Sequence, residues 1–341
     1  MRVLLLSTKT LLVGFLATFT YIQLLYAQTS SLPIYAAYVS NSLKQKCVEH
    51  NSAEPSNCHL NILDAYALSD LASSIPKAQE LIEGLGLSDY EVLIGNAQFT
   101  NNEGQTELVL EISTVWRSVP LDEKTFTGII DNNTDETARA LLSDWVEYLA
   151  KNEVLDARKI HAVLQASNYE QDLITPAKIG DFIKTDTAIY RDPLAGSVTR
   201  YTHPNFGDAI LDVSVYPISP FPLANGKITQ TNNLANELKN ESEQIKARLL
   251  SAHISDYLIS DVTPTTLSYS DKNISGHQLE VTFNSHTVPV YSTQYIFMQN
   301  DKIIKLSGNV PEFMMHQLVQ ESLPYIVVPR ESIFMQRMRQ G

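Results

Sequence analysis

Cys47, His50, Cys58 and His59 stand together in one short stretch and carry the elements of a zinc site built from two cysteines and two histidines. Their spacing works against that reading. Cys58 and His59 are adjacent, and two ligands of one metal need residues between them to turn inward. In an oxidising compartment Cys47 and Cys58 close a short disulfide loop instead, with zinc and free thiols as the alternatives. The other histidines are His161, His203, His253, His277, His286 and His316, and none pairs with another three or four residues away on an expected helix. Each therefore reads as structural or solvated. The chain contains no G-x-S-x-G, H-E-x-x-H, G-x-x-x-x-G-K-S/T, G-x-G-x-x-G or C-x-x-C. No catalytic residue, cofactor or metal is assigned, and a catalytic site would have to be dispersed over distant residues.

Carboxylates and aromatics leave a softer trace. Asp135 and Glu136 fall where a helix N-terminus favours negative charge. Asp208 and Asp212 flank Ile210 on one expected strand, so all three share a face, which is either the wall of a polar cleft or a solvated surface. Tyr190, Tyr201, Tyr216, Tyr291 and Tyr295, with Phe221, cluster on or beside expected strands, as a ligand surface or as ordinary sheet packing. Trp116 and Trp145 each fall on an apolar stripe and read as core. Sequons stand at Asn132, Asn240 and Asn273, and their use depends on the host.

The elements that must position these residues follow from hydrophobic period. Residues 28–45 read as a linker or a first short helix, and 28–59 as a linker with the disulfide loop. Helical spacing from Leu60 through Leu63, Ala67, Leu68 and Leu71, then a second short helix opened by Pro76, runs to Gly84 and Gly86. Residues 90–99 and 106–117 read as a hairpin with Leu108, Leu110, Ile112 and Trp116 on one face. Thr134 or Asp135 caps a helix to 150, and Asp156 caps another to about 167 with Ile160, Val163 and Leu164 inward. Residues 60–172 thus form an α+β unit of helices plus one hairpin. A strand-poor, turn-rich segment, 171–195, sets a boundary near Asp172. Strands are expected at 197–203 and 209–216, a helix at 232–252, and strands at 258–262, 277–283, 290–299 and 302–307. Asn300 and Asp301 make the last hairpin turn. A helix over 312–322 follows, and 329–341 is a tail. Residues 173–328 are accordingly a β-rich α+β unit, an antiparallel sheet flanked by helices.

The strings Tyr201 with His203-Pro204-Asn205-Phe206-Gly207, Asp212-Val213-Ser214-Val215-Tyr216, Tyr295-Ile296-Phe297 and Lys302-Ile303-Ile304-Lys305-Leu306 resemble the PsbP-like α/β/α sandwich. The resemblance covers about 175–328, and residues 28–170 have no counterpart in it. It implies an antiparallel sheet with helical layers and an extrinsic or envelope binding role, and it transfers no site.

Composition narrows the function. Arg2 and Lys9 lead an uncharged run from Leu11 to Ala27, the pattern of a signal peptide over 1–27; an uncleaved N-terminal anchor is the alternative. The net charge is −13, and clustered Lys and Arg are confined to the tail, so nucleic acid is a poor partner. The expectation is an exported protein, periplasmic or secreted. It would bind an envelope protein or a small-molecule ligand, or aid an envelope assembly, without catalysis. A hydrolase with a dispersed site is the alternative.

Overall fold

The computed structural model describes residues 34–36, 90–102, 104–130, 133–219, 230–269, 272–285 and 288–340. The signal segment, the Cys47 to His59 loop, the helices expected over 60–86, Asn132, Phe221 and His286 lie outside them. The chain divides into two compact units that meet in sequence at Leu164 and Gln165.

The first unit holds a four-stranded sheet in the order β1 (Ile34–Ala36), β2 (Tyr90–Asn102), β3 (Gln105–Trp116) and β4 (Val119–Ile129). Residues 34–36, read as linker or helix, are a strand parallel to β2. Leu108, Leu110 and Ile112 are buried at the expected period of two. A register shift between Thr114 and Val115 then brings Val115 and Trp116 into the core together. The expected hairpin grows to a meander by β4, whose only core residue is Leu121. Helix α1 (Thr134–Lys151) lies on β3 and β4, with Ala138, Leu141, Leu142, Trp145 and Leu149 inward. Its cap is Asn133, whose side chain accepts the Asp135 N–H, rather than Thr134 or Asp135. In α2 (Ala157–Leu164), Ile160 and Leu164 are buried as expected, but Val163 is 44% exposed. His161 takes the inward position, one residue from Ile160 on the same stripe.

The second unit is a nine-stranded antiparallel sheet. Its order is β10 (Thr263–Tyr269), β11 (Lys272–Ser285), β12 (Val288–Gln299), β13 (Lys302–Gly308), β8 (Phe206–Pro217), β7 (Ser197–His203), β6 (Phe182–Ile189) and β5 (Lys178–Ile179), with β9 (Tyr257–Ile259) also on β11. The segment 171–195 is not strand-poor, since it contains α3 (Tyr169–Asp172) in part, β5 and β6. Strand β7 and helix α5 (Glu312–Ser322) occupy the expected ranges, and Asn300 takes φ +56° in the last hairpin. The 329–341 tail contains helix α6 (Ile333–Gln340), which buries Phe334 and Met335. The unit closes on itself: the Phe334 N–H donates to Gln165 O at 3.1 Å, and Ile174 and Val327 exchange two backbone hydrogen bonds of 2.9 Å.

Helices cover both faces of this sheet. On one, Met315, Leu318 and Val319 of α5 pack with Tyr201, Leu211, Val213, Val215, Tyr295, Phe297, Ile304 and Leu306. Gly276 is required there, because a Cβ would meet the Phe297 ring at 2.4 Å and Ile296 O at 2.3 Å. On the other face lies α4 (Gln230–Ser251). Its Leu234 and Leu238 meet Leu279, Ile296 and Ile303, and its Ile245 and Leu249 meet Val281, Phe283 and Val290. Burying each of those four helix side chains contributes about 1.5–3 kcal/mol. The class is therefore α+β, with antiparallel strands flanked by helices.

Candidate functional site

Directly opposed residues of antiparallel strands share a face, so the register decides which side chains meet. One row crosses five strands on the α4 face: Gln294 of β12, Ser307 of β13, Asp212 of β8, Arg200 of β7 and Asp186 of β6. The next row holds Lys305 opposite Ser214, and the one after it Ile303 opposite Tyr216. Helix α4 overhangs these rows with Glu237 and Glu241, one turn apart on the flank of its apolar stripe.

The groups on this face are joined in pairs. Arg200 grips Asp212 in a two-pronged bond, Nε to Oδ1 and a terminal nitrogen to Oδ2, each 2.9 Å. Asp212 is only 3% exposed. Lys305 Nζ donates to both oxygens of Glu241, at 3.0 and 3.3 Å. The Tyr216 hydroxyl donates to Glu237 Oε1. Burial first, and then the carboxylates of Glu237 and Glu241, holds the Tyr216 hydroxyl well above its ordinary pKa. Burial also raises the Glu237 carboxyl, outweighing the Tyr216 hydrogen bond and the charge of Lys305. Gln294 is 5% exposed, and its carbonyl Oε1 has no hydrogen-bond partner among the described residues.

Of the residues singled out in the sequence, Asp212 and Tyr216 belong to this cluster. Asp208 is exposed, four residues before Asp212 on the same strand. Tyr201 and Tyr295 point to the opposite face and are fully buried there: Tyr201 donates to Pro176 O at 2.8 Å, and Tyr295 stacks on Phe297. Tyr190 and Tyr291 are half-buried. The aromatics thus line two faces rather than one surface. Arg200, Lys305, Glu237, Glu241 and Gln294 were not anticipated. A tight turn at Pro204 and Asn205 would set Arg200 opposite Ala209, but a register shift between Thr202 and His203 moves it to Asp212. Only Glu237 and Glu241 left a signal, as the polar flank of the Leu234 and Leu238 stripe.

A second polar group lies on the α5 face. His316 Nδ1 is 3.4 Å from the Tyr295 hydroxyl, and its Nε2 is 3.0 Å from Gln320 Nε2. Glu280 accepts the Glu312 N–H at 2.9 Å, supplying the cap that Pro311 cannot, and Gln278 donates to the Glu312 carboxylate at 2.6 Å. Burial, then the charges of Glu312 and Glu280, pushes the Tyr295 hydroxyl above its ordinary pKa. Among the described residues no group of three or more His, Cys, Asp or Glu could hold a metal ion, and no helix is long and apolar enough to cross a membrane.

No protein-family model matches the chain, and none of the curated proteins matches it. Among solved structures, the chain is similar to the solution structure of cyanobacterial PsbP (CyanoP) from Synechocystis sp. PCC 6803, at 11% identity and a TM-score of 0.29. The match covers 46% of this chain and 88% of that one. That likeness is a weak PsbP-like resemblance over less than half of this chain.

Proposed function

We propose that this is an exported envelope protein that binds a partner or small-molecule ligand and holds it without chemistry. One observation carries the reading: the charged groups and the tyrosine in the central rows of the α4 face are paired with one another, Arg200 with Asp212, Lys305 with Glu241 and Tyr216 with Glu237. A general base or nucleophile needs a lone pair directed at substrate, whereas such pairs build a fixed hydrogen-bonding surface. The signal pattern over 1–27 and the net charge of −13 support export and argue against a nucleic-acid partner. Thermal unfolding of the purified protein with a ligand library tests binding, since a ligand at a hundred times its Kd adds about 2.7 kcal/mol of stability. N-terminal sequencing of the exported protein should begin near Gln28, with Cys47 and Cys58 joined. An intact Met1 on protein confined to the cytosol would count against export.

A second reading, a hydrolase with a dispersed site, draws on one observation, the approach of His316 to Tyr295 beside Glu280 and Glu312. Turnover of ester or peptide model substrates that is lost in His316→Ala would establish it.

A further inference from the structure

Building on the binding reading, we propose that the α4 face takes a neutral, hydroxyl-bearing ligand, a monosaccharide or polyol, seated on the Gln294 amide between Ser292 and Ser307. Gln294 supplies the first argument. A buried carbonyl left without a donor is costly and is rare in folded proteins, so one that persists in the middle of a sheet face calls for a ligand or a water. Its neighbours on that face supply the second. Ser307 is its register partner and Ser292 stands two residues before it; both are half-buried, so two partly exposed hydroxyls flank the amide on that face.

The surrounding charges select the class. Arg200 is matched by Asp212 and Lys305 by Glu241, each at hydrogen-bond distance, so the four charges cancel. An anion would have to displace a carboxylate from its cation, against a chain of net charge −13. A cation would find Asp212, Glu241 and Glu237 each engaged by a donor, and Asp186 at the edge of the row accepting the Thr187 N–H. A neutral hydroxyl fits, because it donates to Gln294 Oε1 and accepts from a serine at once. The planar edges of Arg200, Asp212 and Glu241 can meet further hydroxyls of the same molecule without any change in net charge.

The test titrates the full-length protein with glucose, galactose, N-acetylglucosamine and glycerol, and separately with inorganic phosphate and spermidine, following the melting temperature. At least one neutral probe should raise it in a saturable way. Gln294→Leu should weaken that binding at least tenfold while melting no lower than the wild type in the absence of probe, because it removes an unmet acceptor. Ser307→Ala, a change too small to unfold the sheet, should weaken binding of the same probe. An unchanged affinity in both variants would overturn the proposal. A shift produced by phosphate or spermidine instead would overturn the neutral class and leave the binding reading standing. No shift with any probe would also overturn this inference, and the binding reading would then turn on recovery of a cross-linked envelope protein. Conversion of a probe into product would overturn the binding reading itself.

Discussion

The two faces of the nine-stranded sheet are built from alternate residues of the same strands and have opposite characters. Val213, Val215, Leu306 and Tyr295 look towards α5 into a continuous apolar core, while Asp212, Ser214, Lys305 and Gln294, their neighbours in sequence, look towards α4. The α4 helix covers the apolar part of its face over β11, β12 and β13, and its Glu237 and Glu241 reach the polar rows at Tyr216 and Lys305. A slip of one residue in β13, β8 or β7 would send Lys305, Asp212 or Arg200 towards the α5 core. The apolar face therefore fixes the register, and the register places Arg200 opposite Asp212 and Ser307 beside Gln294. One face specifies the fold, and the other is free to carry specificity.

Breaking the apolar face should cost most. Phe297→Ala removes a fully buried ring stacked on Tyr295 and should lower stability by about 3–5 kcal/mol in urea titration. A loss below 1 kcal/mol would mean that the α5 face does not set the fold.

On the polar face, Asp212→Ala takes the two-pronged carboxylate from the Arg200 guanidinium and should cost about 2 kcal/mol. The double change of Arg200→Met with Asp212→Leu should restore most of that, because a buried ion pair is worth little more than apolar residues of its size. If the double variant were as unstable as the single one, the pair would be a foundation of the fold and the contrast between faces would fail.

Tyr216→Phe takes from Glu237 its hydroxyl donor and should cost about 1 kcal/mol at pH 7. Because burial already raises the Glu237 pKa, the loss should shrink as the pH falls and the carboxyl protonates. A loss equal at pH 4 and pH 7 would deny the charge-assisted bond.

The smallest effect is a pH slope. His277 lies on the α4 face with Nδ1 unpartnered among the described residues, and burial lowers its pKa from the ordinary 6.5. A folded pKa below the unfolded one means that the unfolded chain binds the proton first. Stability from this group is whole above about pH 6.5 and is lost as the pH falls through the folded value. Melting temperatures between pH 7 and pH 5 should therefore fall more steeply in the wild type than in His277→Phe. Parallel curves would remove the assignment.

Elements with one wet and one dry side were legible in the sequence. Residues 106–117 and 232–252 print their period because half of each is in the core, and β7 and α5 fall at the anticipated residues. Strands β4, β6 and β10 did not show, since they bury little: Leu121 in β4, Phe182 in β6 and Leu267 in β10 are their only core residues. Their pairing is carried by backbone hydrogen bonds, which leave no mark in residue type. The site was less legible still. Asp212 and Tyr216 could be noticed as members of one alternating strand. Their partners Arg200 and Glu237, like the neighbouring pair of Lys305 and Glu241, come from elements joined by a displaced hairpin or by long connections, and no local pattern encodes such a meeting. The tyrosines misled because residue type alone does not say to which side of a sheet a ring points.

The bond from Phe334 to Gln165 and the paired bonds between Ile174 and Val327 have a topological consequence. With its two ends stitched together, the second unit is a ring of chain, and where the ring is opened becomes a choice. A circular permutant joined from 340 to 165 through a short flexible linker and opened between Pro204 and Asn205, at an exposed hairpin tip, retains all the strands of the sheet and both covering helices.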